Sequence, residues 1–285
     1  MTTLHATASA TAPPRSYLFV PGDRPDRFDK AWASAADAVI LDLEDAVGVA
    51  HKAEARAAVA AWLSPERPCV LRINAADTAW HADDLELLRH PGVAALMLPK
   101  AEQIDPALVQ LCVANGQPLL PIVESARGFS RLEALAATPS VARLVFGSID
   151  FQVDLGIPGD DDALLYFRSQ IVLASRLAGL QPPVDGVTTA IGDHAVLGTD
   201  TERARRLGFG GKLCIHPAQV PTVNALFSPG AVEVAWAERV VAAIAASNGA
   251  AVAVDGKMVD RPVILKAERL LDSRARRARP GQAVG

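Results

Sequence analysis

Short apolar runs recur along most of the chain, each closed by a polar, Gly or Pro residue and followed by a stretch with helical spacing. The pattern predicts strands over 16–21 (SYLFVP), 38–44 (AVILDLE), 69–74 (CVLRIN), 95–100 (ALMLPK), 118–124 (PLLPIVE), 143–150 (RLVFGSID), 183–187 (PVDGV) and 211–216 (GKLCIH). Between them, segments rich in Ala, Leu, Arg and Glu, such as 52–63, 127–137 and 164–178, carry the periodicity of helices. Eight such units in about 210 residues predict a (β/α)8 TIM barrel. A doubly wound open sheet shares the local pattern, because barrel closure leaves no local signature. The nucleotide-binding signatures G-x-G-x-x-G and G-x-x-x-x-G-K-[ST] are absent; 208–212 (GFGGK) falls short of the second.

After the eighth unit, 231–247 reads as a helix, 250–254 as a short apolar piece and about 262–271 as a last helix. The expected division is a disordered arm over 1–14, a barrel over 15–230, a helical extension over 231–272 and a basic, solvated tail over 273–285. The extension is too small for a core of its own and is expected to pack on the barrel or on a neighbouring subunit.

Composition narrows the function classes. Half of the 285 residues are apolar and 21% are charged, which supports a large core and excludes disorder for the bulk of the chain. A net charge of −4 argues against a nucleic-acid binder. No apolar stretch reaches the roughly 18–20 residues that span a bilayer. The start lacks the basic and apolar regions of a secretory signal. Cys69, Cys112 and Cys214 are too scattered for a disulfide framework or a zinc site and read as buried, reduced thiols. The expectation is a cytoplasmic protein with no membrane or nucleic-acid partner.

In a barrel the C-terminal strand ends build the active site, and unusual polar residues collect there: Asp42, Glu44 and Asp45, Arg72, Glu124, and Asp150. Alternation puts Asp42 and Glu44 on one strand face, Val70, Arg72 and Asn74 on another, and Leu120, Ile122 and Glu124 on a third. Neighbouring parallel strands lie about 4.8 Å apart, so Glu124 and Asp150, closing consecutive strands, could grip one ion. Two carboxylates with water and substrate suit Mg2+ or Mn2+. Helix capping or ion pairing is the alternative for each. Arg72, a charge within an apolar strand, requires anions around it. It could neutralise Glu44 or Asp45, and it could offer its fork to a substrate carboxylate. Backbone N–H groups around Gly147, Ser148 and Ile149 could meet a carboxylate as well. Ser125 reads as a helix N-cap or, with its neighbours, a weak anion site.

Taken together, these stretches resemble the citrate lyase β-subunit-like branch of the HpcH/HpaI aldolase/citrate lyase superfamily. The similar stretches are RSYLFVPG (15–22), LDLEDAV (41–47), LRIN (71–74), LPKA (98–101), PIVESARG (121–128), FGSIDFQVDLG (146–156), GKLCIHPAQ (211–219) and DGKMVDRP (255–262). They run in family order over about residues 15–272. The resemblance implies a (β/α)8 barrel that assembles as a homotrimer or a dimer of trimers. It implies a Mg2+-dependent carbon–carbon lyase whose CoA-thioester substrate (citramalyl-CoA, malyl-CoA or citryl-CoA) yields a keto acid and an acyl-CoA.

By motif, Glu124 and Asp150 look like metal ligands, and Arg72 like the residue that binds the keto-acid carboxylate, with Ser148 and Ile149 beside it. Glu44 and Asp45 look like acids that hold metal-bound water and Arg72. Asp260 resembles the acid/base aspartate that a neighbouring subunit delivers. Lys52, Arg15, Arg24 and Lys30 look like contacts for substrate or CoA phosphates. A malyl-CoA-type thioesterase with the same metal site, a citrate lyase β subunit acting on a carrier-bound thioester, a non-catalytic binder and an aldolase of free keto acids are the rival readings.

Overall fold

The structure is a computed structural model and describes residues 12–247 and 252–277. Among these, eight parallel strands close into a barrel in the order β1 to β8. They are β1 (Ser16–Pro21), β2 (Ala38–Asp42), β3 (Cys69–Arg72), β4 (Val93–Leu98), β5 (Leu119–Val123), β6 (Val145–Phe146), β7 (Val184–Asp185) and β8 (Gly211–Cys214). β1 pairs with both β2 and β8, which closes the ring and excludes the open sheet.

Side-chain alternation divides the core in two. Tyr17, Ile40, Val70, Ala95, Met97, Leu120, Ile122, Val145, Val184 and Leu213 fill the barrel interior. Their neighbours, such as Leu18, Val39, Leu71, Leu96 and Phe146, face outward and form the larger core. That core lies under α1 (Phe28–Trp32), α2 (Lys52–Trp62), α3 (His81–Leu85), α4 (Pro106–Asn115), α5 (Ala126–Ser130), α6 (Leu132–Ala136), α7 (Ser148–Leu155), α8 (Leu165–Leu177), α9 (His194–Leu207) and α10 (Val220–Leu226). Apolar side chains on both faces of most strands are what a parallel sheet covered by helices requires; β7 and β8 instead turn Asp185 and Lys212 outward.

The predicted strand over 143–150 is corrected. Only Val145 and Phe146 are extended, and Ser148 opens a helix. Asp150 therefore sits in the first turn of α7, where the N-terminal dipole favours an acid. The alternation in SIDFQVDL has the period of a strand; the helix that forms instead leaves Ile149 and Val153 exposed, and Gly147 marks the switch.

The described residues divide into two compact units, one of residues 14–227 and one that holds residues 228–247 and 252–277. The second unit holds α11 (Ala231–Ala246), a hairpin of β9 (Val252–Val254) and β10 (Lys257–Val259), and α12 (Arg261–Arg277). Ala237, Val240, Val259 and Ala267 are its buried centre. Asp255 (φ 51°) and Gly256 (φ 74°) make the tight turn that the hairpin needs.

The basic tail expected from residue 273 is also corrected. Residues up to Arg277 continue α12, and Arg274 pairs with Glu238 at 3.0 Å. No Gly or Pro interrupts 273–277. The remaining tail residues, and residues 1–11 of the expected arm, lie outside the described residues. Among the described residues no helix is long and apolar enough to cross a membrane. Cys69, Cys112 and Cys214 are unpaired and buried.

Candidate active site

The mouth of the barrel is organised around Arg72. Asp42 and Arg72 end adjacent strands as register partners, and both share the inward parity of Ile40 and Val70. The guanidinium donates Nε to Asp42 Oδ1 at 2.7 Å and Nη2 to Oδ2 at 2.6 Å, a bidentate fork on a fully buried carboxylate. The third nitrogen, Nη1, faces Glu44 at 3.0 Å and Asp45 at 3.9 Å. The Phe19 ring lies 4.6 Å from the guanidinium carbon. Burial works against the Arg72 charge, yet Asp42 first and then Glu44 and Asp45 hold its pKa above the ordinary value.

The principal partner is thus Asp42, which the sequence reading noted at the strand end but left without a role. Strand register, hidden in the one-dimensional pattern, is what pairs the two. Asp42 is itself fixed from below, accepting N–H groups of Glu44 at 2.9 Å and Ala46 at 3.3 Å.

Glu124 follows β5 and continues the inward parity of Leu120 and Ile122. It is 6% exposed, and its Oε1 accepts the Lys100 backbone N–H at 2.5 Å. Burial pushes its carboxyl up to about 8, opposed by that N–H and reinforced by the charges of Glu44 and Asp150. Glu44 is 4% exposed, and burial pushes it up to about 7 against the pull of Arg72. Both Glu44 oxygens lack an aligned hydrogen bond among the described residues, although Arg72 Nη1 and Lys100 Nζ stand 3.0 and 3.6 Å away.

Glu124, buried with a backbone N–H as its hydrogen-bond donor, fits a divalent cation. Among the described residues no three His, Cys, Asp or Glu side chains converge on one point. A cation held by Glu124 and Asp150 would therefore complete its shell with water or substrate oxygens.

Lys100 was absent from the sequence-based assignment. It carries φ 47°, a left-handed backbone unusual for lysine, and this turns its N–H onto Glu124. The strand-end position in LPKA was the available signal. Gly147, read from the sequence for its backbone N–H, has a steric role too: a Cβ there would stand 2.5 Å from Glu124 Oε2, so only glycine leaves the carboxyl its place. Ser148 is buried at 1% exposure, whereas Ile149 at 40% and Asp150 are open to solvent.

The other predicted residues separate. Lys52 is buried, and its ammonium donates to the carbonyls of Leu43 and Glu44, both at 2.8 Å. It ties down the loop that carries Glu44 and Asp45; burial holds its pKa below the ordinary lysine value. Arg15 lies at the N-terminal end of β1, paired with Asp37 at 2.7 Å, at the opposite end of the barrel from Glu124. A role in contacting substrate is corrected for Arg15: six strand residues separate it from the mouth. Arg24 follows β1 at the mouth and pairs with Asp26 at 2.9 Å; Lys30 is exposed on α1. Ser125 is the N-cap of α5, accepting the Gly128 N–H at 3.1 Å, as its position predicts. Asp260, in the second unit, caps α12 through the Val263 N–H at 3.2 Å.

The chain matches the HpcH/HpaI aldolase/citrate lyase family over residues 15–217. It belongs to that family. A citrate lyase subunit beta-like protein of Deinococcus radiodurans is 38% identical over 288 residues, covering 93% of this chain and 99% of the relative. A (3S)-malyl-CoA thioesterase of Cereibacter sphaeroides is 36% identical, covering 91% and 94%. The solved structure of CitE from Mycobacterium tuberculosis in complex with magnesium, acetoacetate and coenzyme A superposes with a TM-score of 0.80 and 37% identity. That match covers 94% of this chain and 100% of the other.

Proposed function

We propose that the chain is a Mg2+-dependent lyase of CoA thioesters, cleaving a 3-hydroxyacyl-CoA such as citramalyl-CoA, malyl-CoA or citryl-CoA into a keto acid and an acyl-CoA. The observation that carries this reading is the buried Glu124 carboxyl at a barrel mouth that also holds the Arg72 fork. Glu124 and Asp150 are the residues that would hold the ion, since hard carboxylate oxygens suit Mg2+ or Mn2+. The similar CitE structures carry magnesium with acetoacetate and coenzyme A, and in another case with oxaloacetate. When bound, the ion would supply Lewis acidity toward a hydroxyl or keto oxygen and a template for the substrate.

The chain's own residues supply the rest. Arg72 has Nε and Nη2 committed to Asp42, so its Nη1 side is the one turned to a substrate carboxylate. The first-turn N–H groups of α7, at Ser148 and Ile149, add neutral donors for the same anion. In the cleavage, the bond between C2 and C3 breaks. A general base takes the hydroxyl proton, C3 becomes the ketone carbon, and the electron pair stays on C2 as the thioester enolate. C2 then takes a proton. Asp260 is the proposed acid, brought to the mouth by a neighbouring subunit of a homotrimer or dimer of trimers; in the reverse direction it removes that proton.

Asp260 also caps α12, so the informative variant keeps the cap. Asp260→Asn is expected to lower kcat by about 10²–10⁴-fold while pyruvate or acetoacetate binding stays at the wild-type level. Parallel kinetics and keto-acid titrations check this, and unchanged kcat would remove Asp260 from the chemistry.

The function itself is tested with purified chain, Mg2+ and a panel of the three thioesters, recording free keto acid and free thiol separately, with EDTA as the control. Keto acid with intact acyl-CoA, lost in EDTA, is the expected result. Free thiol without keto acid would instead make the chain a thioesterase, the second reading, favoured by its similarity to the Cereibacter enzymes. Silence with all three thioesters would overturn both stand-alone readings in favour of a carrier-dependent subunit or a binding protein.

A further inference from the structure

A buried charge cluster that the reaction does not use lies behind β7 and β8. Asp185 and Lys212 are register partners on these strands, while their neighbours Val184 and Leu213 point into the barrel. Their side chains therefore face the helical layer. Asp185, Lys212 and Arg168 of α8 are each at most 1% exposed. Arg168 donates Nε to Asp185 Oδ1 at 2.8 Å and Nη2 to Asp160 Oδ2 at 3.0 Å. Burial opposes the Asp185 charge, yet Lys212 and Arg168 hold its carboxyl below the usual range.

Lys212 Nζ stands 3.7 Å from Asp185 Oδ2, but its short hydrogen bond goes elsewhere, to the Gly186 carbonyl at 2.7 Å. Gly186 is pressed against the first residue of α7. A Cβ at Gly186 would fall 2.2 Å from Ser148 Oγ, 2.9 Å from Ser148 Cβ and 3.1 Å from the Phe146 carbonyl. Ser148 Oγ is buried and makes no hydrogen bond among the described residues. Close packing on Gly186 is thus what seats this residue, two positions before Asp150.

We propose that Lys212 is a positioning residue for the active site: it pins the Gly186 carbonyl, and through the Gly186–Ser148 contact it sets the first turn of α7 that carries Asp150. Asp185, anchored by Arg168, holds the ammonium where it reaches that carbonyl. This rests on the reading of Asp150 as a cation ligand, and the test separates the two.

Lys212→Met removes the donor but leaves a buried acid short of one cation. In the double variant D185N/K212M, the asparagine Oδ1 still accepts from Arg168 and no acid is left uncompensated. Hydrogen exchange of the segment 147–155 and Mn2+ binding by electron paramagnetic resonance are measured on wild type and both variants. The expected result in both is exchange of the hydrogen-bonded amides of this segment, Gly147 and Phe151 among them, faster by about tenfold and Mn2+ affinity weaker by about tenfold, with the thermal midpoint lowered in the single variant and largely recovered in the double. A folded double variant with wild-type exchange across 147–155 would overturn the proposal, because the cluster would then be no more than a buried ion network. Wild-type protein that fails to bind Mn2+ would sink the metal reading, and the exchange comparison alone would then decide the role of Lys212.

Discussion

Glu124→Gln is expected to abolish cation binding and to lower turnover by on the order of 10³-fold or more, without unfolding the chain. The loss follows from charge: a cation's Lewis acidity supplies several kcal/mol at the transition state, and each 1.36 kcal/mol is a factor of ten. The intact fold follows from the same burial that makes the site. Burial pushes Glu124 up to about 8, so its ionised form is a cost to the fold at neutral pH rather than a support. Glutamine is nearly the same size, and its Oε1 can keep the Lys100 N–H that Glu124 accepts at 2.5 Å.

The thermal midpoint in EDTA should therefore stay at or above the wild-type value. Mg2+ should raise the midpoint of wild type, by binding the folded state alone, and leave that of the variant where it was. Two melting curves per protein and one Mn2+ titration check this. A Glu124→Gln variant that still gains stability from Mg2+ would move the cation elsewhere.

Strand positions were legible in the sequence wherever a run was long and bounded. β1 coincides with the run at 16–21, and the end of β5 comes one residue before Glu124. Legibility failed where the local pattern and the fold disagree. From Ser148 the apolar residues alternate with the period of a strand, yet the segment is helical, so Asp150 sits in a helical turn rather than at a strand end. It failed again for contacts set by register or backbone strain. Nothing in the linear order of LDLED distinguishes Asp42 from Glu44 or Asp45 as the partner of Arg72; only the alignment of β2 with β3 does. Lys100 reaches Glu124 through a left-handed backbone, a conformation for which lysine gives no local signal. Arg15 fails for the opposite reason: it belongs to the RSYLFVPG stretch, but direction along β1 puts it at the far end of the barrel. The candidate residues Glu44, Arg72 and Glu124 do share the mouth, because alternation and strand direction suffice to aim side chains inward.

Arg72→Met is expected to cost the fold about 3–5 kcal/mol, the usual consequence of leaving a buried acid without its cation. For a chain of this size that is a fall in thermal midpoint on the order of 10 °C. Asp42 is fully buried and would keep only the N–H groups of Glu44 and Ala46. Glu44 would lose the one charge that now pulls its carboxyl down most, and would protonate more readily. Adding Asp42→Asn should return part of the stability, since the asparagine Oδ1 can still accept the Glu44 N–H that Asp42 holds at 2.9 Å. Keto-acid binding should not return with it, because the fork is absent from both proteins. Arg72→Lys should fall between: the charge remains, so stability drops less, but a point charge cannot hold Asp42 in two bonds and also face a substrate carboxylate. Melting curves and pyruvate titrations on the four proteins separate the two roles. If the double variant recovers both stability and keto-acid affinity, Arg72 serves the fold alone, and the carboxylate of the substrate must be held by the first turn of α7.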